Sequence, residues 1–168
     1  MALSVNWIEQ DEKINHYIEV SLFAEKFIIH YAGNVITRTE WCLKQGDELL
    51  NENGKWLNIQ QYISNPTEAL TINLKQQGSD FRNKVWAEMC KIPLGQTLSY
   101  SKMAEKVNSG ARAVANACRD NPFPGIIPCH RVVAVANLGG YMGQTSGRCL
   151  DIKRKLLMSE LGRAVHEK

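Results

Sequence analysis

Apolar and polar residues alternate with strand-like spacing over residues 16–23 and 25–31. β-branched residues carry the pattern through 34–41, after the turn signal Ala32-Gly33-Asn34. A small antiparallel sheet is the expected product. Residues 51–55 are polar and contain a glycine, so they read as a loop. Residues 66–77 are expected to form a helix, with Asn65 as its N-cap and Pro66 at the first helical position. Gln76-Gln77-Gly78-Ser79 then marks a boundary between two halves.

Beyond that boundary the period changes from two to nearly four. Ser79 can cap a helix whose apolar stripe is Phe81, Val85, Trp86 and Met89, ending near Pro93-Leu94-Gly95. Residues 99–107 read as a short helix with Met103, Ala104 and Val107 on one face. Asn108-Ser109-Gly110 is a tight turn, and residues 111–120 form a second helix. Helix, glycine-containing turn, helix is the outline of a helix-turn-helix, an outline that many αα-hairpins share. The second helix carries alanine between Arg112, Val114 and Asn116. Such a surface can lie close against a groove, and tight helix–helix packing uses alanine for the same steric reason. The expected class is α/β in the α+β sense. Residues 1–78 form a small N-terminal antiparallel sheet domain with a helix. Residues 79–168 form a mostly helical C-terminal domain containing the helix-turn-helix.

Composition narrows the setting. The 168 residues are 44% hydrophobic, enough for one compact domain or two small ones. No apolar run approaches 18 residues, and the N-terminus lacks a basic-plus-apolar leader, so a soluble cytoplasmic protein is expected. The five cysteines are an odd number with no C-x-x-C pair, which argues against a disulfide framework and a zinc knuckle. The net charge of +3 hides a division. Residues 1–78 hold 6 Lys/Arg against 10 Asp/Glu, a net of −4, whereas residues 79–168 hold 14 against 7, a net of +7. A basic half joined to an acidic half suggests that the second half faces a polyanion.

The chemistry concentrates after the second helix, in Asn121-Pro122-Phe123-Pro124-Gly125-Ile126-Ile127-Pro128-Cys129-His130-Arg131-Val132-Val133. Prolines and a glycine hold an irregular segment, and Pro128 presents Cys129. A thiol becomes a useful nucleophile as thiolate, a form favoured by a neighbouring cation or proton acceptor. His130 and Arg131 follow directly, with a water as a plausible link between Cys129 and His130. A buried cysteine acting as a small hydrophobe is the bland alternative.

Pro128-Cys129-His130-Arg131-Val132 resembles the active-site motif of the O6-methylguanine-DNA methyltransferases. The likeness runs over roughly residues 81–160 and includes Val85-Trp86, Ile92-Pro93, Gly95, Ser99-Tyr100, Ala111-Arg112-Ala113-Val114 and Asn121-Pro122. The resemblance implies single-turnover transfer of an alkyl group from O6-alkylguanine, and less well O4-alkylthymine, onto Cys129. It implies that His130 takes the thiol proton through a water, that Glu160 orients His130, and that Asn121 braces the turn before the motif. Arg112 would fill the base stack beside an extruded nucleotide, with Ala111, Ala113, Asn116 and Arg119 also toward the DNA. Tyr100 would crowd the phosphate and donate to the flipped base, while Val132, Tyr141 and Met142 would bind it. The implied partner is double-stranded DNA, met through the minor groove by a monomer, with no cofactor.

Two features depart from the family pattern. Met142 follows Tyr141, and residues 144–151 lengthen the loop before Lys153. Some relatives carry a zinc site in the N-terminal half. Cys42, His16 and His30 are too few here for a tetrahedral set, so no metal is expected. Cys90 and Cys118 read as packing residues, and Cys149 as an exposed thiol in the long loop. Three other readings stay open: a non-catalytic lesion sensor, a cysteine hydrolase built on Cys129, His130 and Glu160, and a sequence-specific transcription factor.

Overall fold

The computed structural model describes residues 3–11, 13, 15–43, 56–65 and 69–166. It divides into two compact units, Met1–Gln77 and Gly78–Lys168.

The first unit is built on a sheet of five strands: β1 (Leu3–Ile8), β2 (His16–Leu22), β3 (Glu25–Ala32), β4 (Val35–Cys42) and β5 (Leu70–Lys75). Their order is β1-β5-β4-β3-β2. β2, β3 and β4 form the expected antiparallel meander, but β5 runs parallel to both β1 and β4, so the sheet is mixed. Phe27, Ile29, Trp41 and Leu74 fill its buried face. Helix α1 (Leu57–Ser64) sets Ile59, Tyr62 and Ile63 into the core of this unit.

The expected helix over 66–77 is overturned by β5. Leu70, Ile72 and Leu74 are buried in alternation, the period-two pattern of a strand with one covered face. The cap signals Asn65 and Pro66 suggested a helix start, and the side-chain period shows what the chain becomes. Residues 66–68, like the expected loop at 51–55, lie outside the described residues.

The second unit follows the sequence pattern more closely. Helix α2 (Asp80–Met89) is capped by the Ser79 hydroxyl, which accepts from the Arg82 N–H. It ends at Met89, earlier than expected, because the backbone turns over Cys90–Ile92. Strand β6 (Leu98–Ser99) leads into α3 (Tyr100–Val107), capped by the Ser99 hydroxyl. Three residues, with Asn108 in the left-handed region, connect it to α4 (Ala111–Arg119). α2 braces α4 through the buried Trp86 indole, whose N–H donates to the Ala117 carbonyl at 2.8 Å. A single 3-10 turn (Cys129–Arg131) runs into strand β7 (Val132–Val133), parallel to β6. Helix α5 (Arg148–His166) closes the unit. Among the described residues no helix is long and apolar enough to cross a membrane.

The candidate active site

The segment from Asn121 to Pro128 is irregular, yet its polar groups are accounted for. The Asn121 side chain donates to the Ile127 carbonyl at 3.0 Å and accepts from the Phe123 N–H at 2.9 Å, stapling both ends of the loop. Pro128 has φ −81 and ψ 60, and the Cys129 N–H donates back across it to Ile127 at 2.8 Å. That is an inverse γ-turn, held by the fixed φ of proline. Arg131 N–H then donates to the Pro128 carbonyl at 3.0 Å, winding the 3-10 turn that carries Cys129.

Cys129 is 5% exposed. Burial pushes its thiol above the ordinary value; the Asn121 side chain, the Lys153 ammonium and backbone hydrogen bonds pull the other way. His130, 2% exposed, places Nε2 at 2.7 Å from Glu160 Oε1, and its Nδ1 is buried without a hydrogen-bond partner among the described residues. With Nε2–H donating to the carboxylate, Nδ1 is left as an acceptor.

Arg131 departs from the expectation that it flanks the thiol. It is buried, and its guanidinium donates to both Glu160 oxygens at 2.9 Å and to the Ile92 carbonyl at 2.8 Å. Adjacent residues in a 3-10 turn point about a third of a turn apart, and Arg131 is spent on the carboxylate. Burial alone would raise the Glu160 carboxyl, but His130 and Arg131 hold it down at about 2.

The sequence reading missed Lys153. Its side chain is fully buried, with Nζ donating to the Val132 carbonyl at 2.7 Å and the Gly140 carbonyl at 2.8 Å. Nζ also lies 5.9 Å from the centre of the Tyr100 ring. Burial brings the ammonium down to about 8, against the upward pull of Cys129 and Cys118. A signal was present in the sequence. Cys149, Ile152, Lys153, Leu156 and Glu160 recur at helical spacing and are all buried, so two charges sit on an otherwise apolar stripe of α5. The same helix corrects the reading of Cys149, which is 3% exposed in the first turn of α5 rather than free in a loop.

A cavity of about 270 Å³ opens above Cys129, walled by Tyr100, Asn116, Cys118, Tyr141 and Met142, with Arg119 at its edge. Burial is the main cause that lifts the Tyr100 hydroxyl to about 12, so it is a proton donor at neutral pH. Tyr141 and Gln144 exchange backbone hydrogen bonds at 2.8 and 3.0 Å, and Met142 occupies the left-handed region at φ 53. The structure therefore gathers Cys129, Tyr100, Asn116, Arg119, Tyr141 and Met142 around one cavity, with His130, Glu160 and Asn121 packed about the thiol's turn. Ala111 and Arg112 are exposed and Ala113 partly so, and none of the three lines the cavity. Among the described residues no group of three or more His, Cys, Asp or Glu could hold a metal ion.

Comparison with known proteins gives consistent matches. Residues 80–162 match the family model of the 6-O-methylguanine DNA methyltransferase DNA-binding domain. The inducible methylated-DNA–protein-cysteine methyltransferase of Bacillus subtilis is 33% identical over 152 residues, covering 84% of this chain and 85% of the relative. The Methanosarcina mazei protein of the same name is 38% identical over 104 residues, and the match spans 61% of this chain but only 63% of the relative. The crystal structure of Mycobacterium tuberculosis O6-methylguanine methyltransferase superposes with a TM-score of 0.74 at 27% identity, covering 89% of this chain and 94% of that one. A structure described as Mycobacterium tuberculosis OGT in complex with DNA superposes with a TM-score of 0.69 at 27% identity, covering 88% and 94%.

Proposed function

Because this chain belongs to the methylated-DNA–protein-cysteine methyltransferase family, we propose that it repairs DNA by moving the alkyl group of O6-alkylguanine, and less well O4-alkylthymine, onto Cys129. One observation carries this reading: a buried thiol at the floor of a cavity, next to a histidine clamped by a buried carboxylate.

The chemistry follows from that arrangement. The O6 atom of a paired guanine lies inside the duplex, so the nucleotide must be extruded, at a cost of a few kcal/mol. α3, the three-residue turn and α4 act as a helix-turn-helix in the minor groove. Arg112, exposed at the start of α4, fills the vacated place in the stack. Ala111, Ala113, Asn116 and Arg119 lie beside it on the DNA-facing side. In the cavity, Tyr141 and Met142 flank the base. The Val132 carbonyl, with one lone pair engaged by Lys153, offers its second to the exocyclic amine. The Cys129 proton passes to His130 Nδ1 through a water. Glu160 stabilises the imidazolium that results, as a carboxylate does in hydrolase triads. The sulfur attacks the alkyl carbon in line, the carbon–O6 bond breaks, and the Tyr100 hydroxyl meets the charge left on the base. The product is a thioether, which water does not reverse, so each molecule acts once. Bound in this way, the protein works as a monomer on duplex DNA.

Incubation with an O6-methylguanine oligonucleotide, followed by mass analysis of tryptic peptides, tests the reading. The peptide holding Cys129 gains one methyl group, in proportion to protein and not catalytically. Cys129→Ala abolishes transfer while duplex binding persists. Repeated turnover on an ester or amide would instead support a hydrolase, and an unmodified Cys129 in folded protein would end the proposal.

A further inference from the structure

The cavity above Cys129 contains a second thiol. Cys118, in the last turn of α4, is partly buried and lines the same space as Cys129, Tyr100 and Met142. The alkyl transfer described above makes no use of it. The two sulfurs share one electrostatic setting. Burial, together with the Cys129 sulfur, pushes the Cys118 thiol well up, and Lys153 works against both. Once Cys129 carries an alkyl group its sulfur is neutral. It can no longer form a thiolate that would compete with Cys118 for the Lys153 ammonium, which stays in place, anchored to Val132 and Gly140. After the first transfer, Cys118 is the thiol left in the cavity.

We propose that Cys118 is a second alkyl acceptor, which takes the far carbon of an adduct bearing its own leaving group and so closes a 2-haloethyl adduct into an ethylene bridge between the two cysteines. The proposal rests on the alkyl-transfer reading of Cys129. In the first step the Cys129 sulfur bonds to the carbon attached to O6, the carbon–O6 bond breaks, and the thiol proton ends on guanine. In the second, the Cys118 sulfur bonds to the far carbon, directly or by opening the episulfonium ring that the Cys129 sulfur forms. The carbon–halogen bond breaks, halide leaves with its electron pair, and the Cys118 proton passes to solvent. Nothing is oxidised or reduced. A thiol in the same cavity competes well with water and DNA, because intramolecular attack removes the entropy of encounter. The bridge thus disposes of an electrophile that would otherwise tether the protein to the duplex it had just repaired.

The test uses the full-length protein and an oligonucleotide containing freshly prepared O6-(2-chloroethyl)guanine. Cys118 and Cys129 fall in separate tryptic peptides, 113–119 and 120–131, so a bridge joins two fragments that are otherwise independent. The expected result is that pair linked by one ethylene group. In Cys118→Ala the linked pair disappears, and the Cys129 peptide carries a hydroxyethyl group or the oligonucleotide instead. The inference is overturned if wild-type protein, in a preparation that accepts a methyl group from O6-methylguanine, yields Cys129 as the simple hydroxyethyl or DNA-linked adduct with Cys118 free. Failure of methyl transfer itself would be seen separately and would remove the reading beneath it.

Discussion

Glu160 serves His130 and Arg131 with two oxygens, and the consequence can be read in acid. Its carboxyl ordinarily titrates at 4.5 and is held at about 2 in the fold, once the neighbouring charges have overcome the effect of burial. A depressed carboxylate contributes stability that is complete above its unfolded value and is lost as pH falls through the folded one. The window is therefore pH 4.5 down to about 2, and the contribution is on the order of 3 kcal/mol. Glu160→Gln should flatten the fall of urea midpoints across that window. At neutral pH it should cost about 3–5 kcal/mol, because Arg131 is left buried without its partner. Lys153 makes a kinetic prediction. Its ammonium draws the Cys129 thiol down and is lost as pH rises through about 8, so single-turnover methyl transfer should decline above that point. In Lys153→Met the rate should be lower at pH 7 and climb steadily with pH, as thiol ionisation alone then governs it. At this scale the sequence was a partial guide. Cys129, His130 and Glu160 could be picked out by resemblance. Arg131 was misplaced because adjacency along the chain says little about where a side chain points.

At the scale of elements, residues near the cavity depend on backbone that only certain side chains permit. Gly139 has φ +71, and a Cβ there would lie 2.8 Å from the Tyr100 ring and 3.2 Å from the Ala134 nitrogen. Gly33 has a similar φ of +59 with nothing within 4 Å. Gly33→Ala should cost about 1 kcal/mol of strain alone. Gly139→Ala should cost about 2–3 kcal/mol in thermal denaturation and slow methyl transfer by displacing Tyr100. Equal losses at the two sites would show that crowding against Tyr100 is unimportant. α2, α3 and α4 were legible because caps, tight turns and apolar stripes agree with one another, whereas α5 begins at Arg148, inside the stretch 144–151 that was expected to be loop. β5 and α1 were not. The helix-start signals of Asn65 and Pro66 competed with a period-two strand. Trp56, at the start of α1, lies in the left-handed region and offers no side-chain cap.

For the whole molecule, the division of charge is the feature visible from sequence alone, −4 over residues 1–78 against +7 over 79–168. A surface read through phosphates releases counterions, so affinity for undamaged duplex should fall linearly with salt on logarithmic axes. Arg112→Ala should reduce that slope by about one while impairing methyl transfer far more. Fluorescence anisotropy over a salt series, alongside single-turnover kinetics, separates the two effects. A loss of transfer no greater than the loss of binding would remove Arg112 from the stack-filling role.

α5 brings Lys153 and Glu160, two inward charges, from a single rod, with Lys153 two turns before Glu160. Fraying begins at a helix end, and local opening there costs far less than global unfolding. A cut or truncation that loosened the final turns would free Glu160 first, leaving α3 and α4 in place. On the proposed mechanism, such a protein would keep its DNA-facing helices and lose the proton acceptor's support, so it would occupy a lesion without discharging it.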